Sequence, residues 1–242
     1  MANVTLQAPR GRMPAYVATP RGTGPWPVVV VIHDVFGVTT DLRRQADWLA
    51  ASGFAAVAPD LYYWGRRTTC LFSFLRDQDG ALADIDAARD WAVAQPWCSG
   101  RAGVIGFCLG GGFALALAPR HGYAAVSANY GRLPASVQAE LGDACPVIGS
   151  YGGKDRSLRG VPERLDAALS TAGVPHEVTT YPDAGHGFLN DHDDTARPAA
   201  LLAALRLTGA GYHEPSARTA RARIVDFFAL HLGARPAPSS DP

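Results

Sequence analysis

The chain has 242 residues, with 22 Lys and Arg balanced by 22 Asp and Glu. A composition that is 48% hydrophobic and 18% charged excludes a disordered polymer, and its 26 Gly and 18 Pro follow no collagen-like period. Zero formal net charge removes the diffuse attraction behind nonspecific nucleic-acid binding and polybasic membrane docking, so the expected partner is a small molecule, with no nucleic acid and no membrane.

Short β-branched runs alternate with helical stretches. Pro27 to Ile32 reads as a strand, Thr40 to Ser52 as a helix with Asp41 in its first turn, and Phe54 to Pro59 as a second strand. Gly80 to Gln95 spaces Leu82, Ile85, Ala88 and Val93 as a helix does, and Gly103 to Phe107 is again strand-like. Leu109 to Ala118 predicts a helix, Ala124 to Ala128 and Pro146 to Tyr151 strands, Val161 to Thr171 a helix, and His176 to Tyr181 a strand. Residues 189–211 read as an insertion, with a charged start at Asp191-His192-Asp193-Asp194 and a short apolar helix over Ala199 to Leu207. Pro215 to Leu232 places Ile224, Phe227, Phe228 and Leu232 on one helical face, and the Pro/Ser-rich residues 233–242 are expected to be a disordered tail.

Apolar strands separated by helices need crossover connections, which makes the class α/β, with a mostly parallel open sheet carrying helices on both faces. The length suits one domain over 1–242 with a large core. The four cysteines, at 70, 98, 108 and 145, show neither a C-x-x-C pair nor zinc-ligand spacing with His, so no disulfide framework and no metal site are expected. No apolar leader follows Arg10 and Arg12, and no run approaches the roughly 18 apolar residues of a membrane span, so the expected location is the cytoplasm.

The chemistry concentrates at Gly106-Phe107-Cys108-Leu109-Gly110, where a buried-type strand runs straight into a helix. So sharp a turn holds its middle residue above the sheet edge and needs small residues two before and two after, which Gly106 and Gly110 provide. Helix N-terminal N–H groups then face the thiol, lowering its pKa and offering an oxyanion donor at Leu109. On this pentapeptide alone Cys108 is either a nucleophile or a small buried thiol. A phosphate loop is disfavoured by the absence of a following Lys-Ser/Thr.

Chain order decides between them, because such an elbow takes its acid and then its histidine from the ends of later strands. Asp155 follows the Pro146 to Tyr151 run, and His186 lies on a Gly-flanked loop after His176 to Tyr181. The carboxyl ends of parallel strands share one edge, so Cys108, Asp155 and His186 can converge. Asp183, three residues before His186, is a rival acid on the wrong element. The loop after the first predicted strand can add a second oxyanion N–H from Val35. His33 reads as a hydrogen-bonded structural group, and Asp34 either faces the thiol or caps the helix beginning near Thr40. Asp191 to Asp194 reads as a solvated loop, and Tyr62-Tyr63-Trp64 with Arg66 and Arg67 as a substrate-pocket wall.

These residues resemble the dienelactone hydrolase family from about Thr5 to Leu232. The likeness is carried by Asp34-Val35-Phe36-Gly37, Pro59-Asp60-Leu61-Tyr62, the Cys108 elbow, Gly153-Lys154-Asp155 and Ala184-Gly185-His186-Gly187-Phe188. The resemblance implies an α/β-hydrolase that opens an ester or lactone through a Cys108, His186 and Asp155 triad and an acyl-thioester, with no cofactor. Alternatives are a thioesterase or general carboxylesterase, or a non-catalytic thiol redox or binding module. Two positions depart from the pattern: Asp34 stands where dienelactone-cleaving members carry Glu, and Asn190 where they carry an Arg for the substrate carboxylate. Tyr62, Asn190, Arg66, Arg67 and Arg76 are the candidate pocket residues, and an uncharged ester or lactone is the expected substrate unless one of those arginines replaces the missing cation.

Overall fold

Val28 to Ile32 are fully buried, so this segment has apolar neighbours on both faces, as a central parallel strand requires. The computed structural model describes residues 1–76, 78–134, 141–192 and 210–233. Its strands are β1 (Ala2–Ala8), β2 (Gly11–Ala18), β3 (Trp26–Ile32), β4 (Ala55–Pro59), β5 (Cys98–Phe107), β6 (Ala125–Asn129), β7 (Val147–Gly152) and β8 (His176–Tyr181). They form one eight-stranded sheet in the order β1-β2-β4-β3-β5-β6-β7-β8. β1 and β2 pair antiparallel and β2 joins β4 antiparallel, whereas all pairs from β4 to β8 are parallel.

The helices are α1 (Thr40–Ala51), α2 (Arg67–Arg76), α3 (Asp79–Val93), α4 (Leu109–Leu117), α5 (Val161–Ala172) and α6 (Glu214–Leu232). α1 packs on β2, β3 and β4, and α6 on β5, β6 and β7. The two meet where Arg221 lies over the Trp48 ring, and α6 also reaches the residue before β4, where the Phe54 and Phe228 rings approach to 5.9 Å. α3 and α4 contact each other on the opposite face. Among the described residues no helix is long and apolar enough to cross a membrane.

Three features depart from the sequence reading. The first twenty residues, to which periodicity assigned no element, form the β1–β2 hairpin, paired from Ala2↔Val17 to Ala8↔Gly11. Residues 67–76 are helical. The α1 cap is the Thr39 side chain, which accepts from Leu42 N at 3.3 Å, so Asp34 is not the cap and Asp41 is buried for another purpose. Positions 199–207 and 234–242 lie outside the described residues, as do Asp193 and Asp194.

β5 passes into α4 through Cys108, whose φ of 53° and ψ of −112° are unusual for a residue with a side chain. Such a conformation costs about 1–3 kcal/mol and persists only where its surroundings over-determine it. The turn is tight enough that a Cβ on Gly106 would lie 1.9 Å from Gly110 O, and one on Gly110 2.6 Å from both Ile32 O and His33 O. Asn129 ties the turn to β6: its carbonyl accepts from Cys108 N at 3.0 Å, and its amide donates to Gly106 O at 3.1 Å. Gly106→Ala is therefore expected to destabilise the protein by more than about 3 kcal/mol in urea unfolding, or to prevent folding. Gly142→Ala, with nothing within 4 Å of the added atom, should change stability by no more than about 0.5 kcal/mol.

Candidate active site

The loops after β7 and β8 are stitched together by their backbones. Gly153 N donates to Tyr181 O at 2.7 Å, and Lys154 N donates to Ala184 O at 2.9 Å. The approach depends on Gly152, where a Cβ would come within 2.4 Å of Gly185 O. Asp155 and His186 are thereby brought side by side from positions 31 residues apart.

His186 Nδ1 lies 2.6 Å from Asp155 Oδ2, and its Nε2 lies 3.1 Å from Cys108 Sγ. Asp155 Oδ1 accepts from both the backbone N (2.9 Å) and the hydroxyl (2.6 Å) of Ser157, which leaves Oδ2 to the imidazole. Burial opposes charge on His186, but hydrogen bonds and charges at Asp155 and Cys108 outweigh it and push the imidazole up to about 10. Burial alone would lift Asp155, yet the His186 and Ser157 bonds hold its carboxyl below the ordinary value. Asp183 is three-quarters exposed and pairs with Lys154 at 3.6 Å, not with His186. Burial raises the Cys70 thiol above its ordinary value and pushes Cys145 up to about 12, keeping both protonated.

The His186 loop is anchored far from its own strand. Asn190 is 4% exposed; its amide donates to Asp41 Oδ2 at 2.6 Å and its Oδ1 accepts from the Tyr130 hydroxyl. Asp41 Oδ1 accepts from Asp191 N at 2.9 Å, and burial raises this carboxyl despite those donors. Tyr130, which like Cys108 holds a positive φ (42°), sets its ring edge-on to His186 with centroids 5.2 Å apart.

Cys108, His186, Val35 and Leu109 border a cleft of about 770 Å³ whose apolar wall includes Leu71 and Phe74 of α2, Phe113 of α4 and Leu133. Arg76 and Arg132 also line it. Leu109 N is the first N–H of α4, where a helix offers unpaired donors.

Several expectations about the pocket are corrected. Asn190 belongs to the buried anchor described above and is absent from the cleft wall. Tyr62 sits one layer behind it, its hydroxyl donating to Val35 O at 3.2 Å and its ring stacked on Phe74. Tyr63 donates to Asp84 and Trp64 lies under the Arg10 guanidinium, so both serve the Arg10–Asp84 ion pair. Arg66 and Arg67 are exposed away from the cleft, and only Arg76 of the three lines it. Arg132 and Tyr130 escaped the sequence reading; the available signal was Asn-Tyr-Gly-Arg at the carboxyl end of a predicted strand. His192, expected in solvent, is mostly buried against Phe36, with Nε2 2.8 Å from Asp34 Oδ2. Asp34 Oδ1 accepts from Phe36 N at 2.7 Å, so this carboxylate caps its own turn and pairs with His192.

A parallel sheet with an antiparallel edge, a cysteine elbow between strand and helix, and an Asp–His pair at the same sheet edge define an α/β-hydrolase. The sequence model of the dienelactone hydrolase family matches residues 13–232, so the chain belongs to that family and is a carboxylic ester hydrolase of the dienelactone hydrolase type. A Yersinia pestis protein provisionally named carboxymethylenebutenolidase is 31% identical, over 97% of this chain and 90% of its own. The carboxymethylenebutenolidase of Pseudomonas putida is 28% identical over 92% and 93%. A crystal structure from Klebsiella pneumoniae, provisionally named dienelactone hydrolase, matches with a TM-score of 0.79 at 29% identity, covering 94% and 97% of the two chains.

The raised imidazole ties stability to pH with a definite sign. An unfolded histidine titrates near 6.5 and the folded one near 10, so the stabilisation His186 supplies is complete below about pH 6.5 and is lost as pH rises through about 10. The lowered Asp155 acts oppositely, its contribution present above the unfolded carboxyl value of 3.8 and lost as pH falls through the depressed one. Urea midpoints of wild type and His186→Gln should differ most at pH 6 and converge by pH 10.5; a constant gap would contradict the ion-paired imidazole.

Proposed function

We propose that the protein cleaves carboxylic esters or lactones with Cys108 as nucleophile, His186 as proton carrier and Asp155 as the group that orients it. The observation that carries this reading is the single imidazole bonded to Cys108 Sγ at one nitrogen and to Asp155 at the other, beside a helix N-terminus. The thiolate attacks the acyl carbon, and the carbonyl π pair moves onto oxygen, facing the N–H groups of Val35 and Leu109. Collapse breaks the C–O bond, and His186 Nε2–H protonates the departing alkoxide, which in a lactone stays tethered to the acyl group. Water then attacks the thioester carbon and gives its proton to His186. The C–S bond breaks, releasing the carboxylic acid and restoring the thiolate–imidazolium pair.

The relatives' name, carboxymethylenebutenolidase, describes a lactone that bears a carboxylate. Among the described residues Arg76 and Arg132 are the arginines that line the cleft, so the substrate carboxylate is met from α2 and from the loop after β6 while Asn190 stays in the fold. This is the branch of the expectation in which an arginine replaces the missing cation, and an uncharged substrate is the other.

Turnover of a p-nitrophenyl ester tests the reading. Cys108→Ala should fall to the uncatalysed background while unfolding cooperatively, and Asp155→Asn should lose about 10³- to 10⁴-fold in kcat. Asp183→Asn should stay within about twofold, because its carboxylate faces Lys154 and solvent. On a matched pair of esters differing by one free carboxylate, Arg76→Gln with Arg132→Gln should raise KM for the charged ester about tenfold and leave the neutral one unchanged. Equal effects on both esters would remove the arginines from substrate recognition.

A further inference from the structure

The N–H of Val35 belongs to the peptide between Asp34 and Val35, which lies just beyond β3 and outside any helix. No ladder of strand or helix bonds sets its direction. His33, 1% exposed, does so from the far side: its Nδ1 lies 2.6 Å from Asp34 O and its Nε2 lies 3.2 Å from Leu61 N. A backbone N–H can only donate and a carbonyl can only accept, so these two partners select one state of the ring, neutral with its proton on Nδ1. Burial favours the same state by depressing the imidazole below its ordinary value.

In a trans peptide the N–H points opposite to the C=O. Asp34 O is drawn toward the His33 ring and also accepts from Gly37 N at 3.4 Å, which turns Val35 N–H the other way, toward the cleft that Val35 lines with Cys108 and Leu109. The next carbonyl, Val35 O, accepts from the Tyr62 hydroxyl at 3.2 Å, and the Tyr62 and His33 rings pack with centroids 4.7 Å apart. Both carbonyls that flank the donor are thus held by side chains that also brace each other.

We infer that His33, braced by Tyr62, is the positioning residue of the oxyanion site, aiming Val35 N–H at the oxygen on which charge develops. The inference rests on the thiol-hydrolase reading and assigns a catalytic consequence to a histidine that touches neither substrate nor thiol. A merely structural histidine would lower stability and weaken every reaction of Cys108 alike. An oxyanion-positioning one affects only reactions that build negative charge on a carbonyl oxygen.

Hydrolysis of a p-nitrophenyl ester and alkylation of Cys108 by iodoacetamide separate the two, since alkylation displaces iodide from a saturated carbon and forms no oxyanion. Removing one oxyanion donor costs about 10²- to 10³-fold in kcat, so misaiming one in His33→Leu should cost about 30- to 100-fold. KM should stay within about threefold and the alkylation rate within about twofold of wild type. His33→Asn, whose side-chain N–H can reach Asp34 O, should recover at least about tenfold of that loss. Parallel loss of hydrolysis and alkylation in His33→Leu, or unchanged kcat, overturns the inference. If His33→Leu does not fold, Tyr62→Phe decides: lower kcat with unchanged alkylation supports it, and wild-type kcat overturns it. Failure of the wild type to turn over any ester in a Cys108-dependent manner is a different result, since it defeats the hydrolase reading before any His33 variant is compared.

Discussion

The site depends on one close backbone approach. Gly106 and Gly110 bring the end of β5 against the start of α4 at a separation that leaves no room for a Cβ, and Cys108 is held at positive φ between them. That strain is over-determined by bonds from Asn129 to both sides of the turn. A consequence is that the sulfur, the helix N-terminus and the Val35 loop meet at one point without any side chain having to reach. Everything else in the site is arranged around a sulfur whose position the backbone has already settled.

His186 poses the opposite problem, because a loop residue has no strand to fix it. Two sets of contacts supply the constraint. The glycine contact between Gly152 and Gly185 lays the Asp155 and His186 loops together, while Asp41, Asn190 and Tyr130 anchor the far side of the His186 loop to α1 and to the end of β6. An imidazole that must bond Asp155 and Cys108 at once tolerates little displacement, which explains why buried polar groups are used here although their desolvation is costly. The same demand accounts for an amide at position 190: it gives one bond and takes another within a closed network, a pairing that a donor-only guanidinium cannot make.

A chain of zero net charge still presents local fields. Asp84 is paired with Arg10 and Asp155 with His186, while Asp34 Oδ2 lies 2.8 Å from His192 Nε2. Arg76 and Arg132 line the cleft beside the apolar Leu71, Phe74, Phe113 and Leu133. Apolar area beside a few charged groups is the usual composition of a small-molecule site.

Much of this was legible in the residues alone. The α/β class followed from short apolar runs separated by helical periods, and the cysteine elbow from glycines at fixed spacing around Cys108. The order of Cys108, Asp155 and His186 followed from which residues trail the predicted strands. These signals are local, because a turn's steric needs and a strand's period act within about ten residues. The β1–β2 hairpin was not legible, since its short alternation lies at the sheet edge and its second strand carries Pro14. Nor were the partners of Asn190, His192 and Tyr62, or the place of Arg132 in the cleft. Asn190 bonds Asp41 across 149 positions, and His33 receives its bond from a residue 28 away. A side chain's function at such range depends on which backbone groups the sheet order places beside it. The sequence by itself therefore determined the class, the elbow and the order in which Cys108, Asp155 and His186 follow the strands, whereas only the tertiary structure decided which polar residues line the cleft and which hold the loops in place.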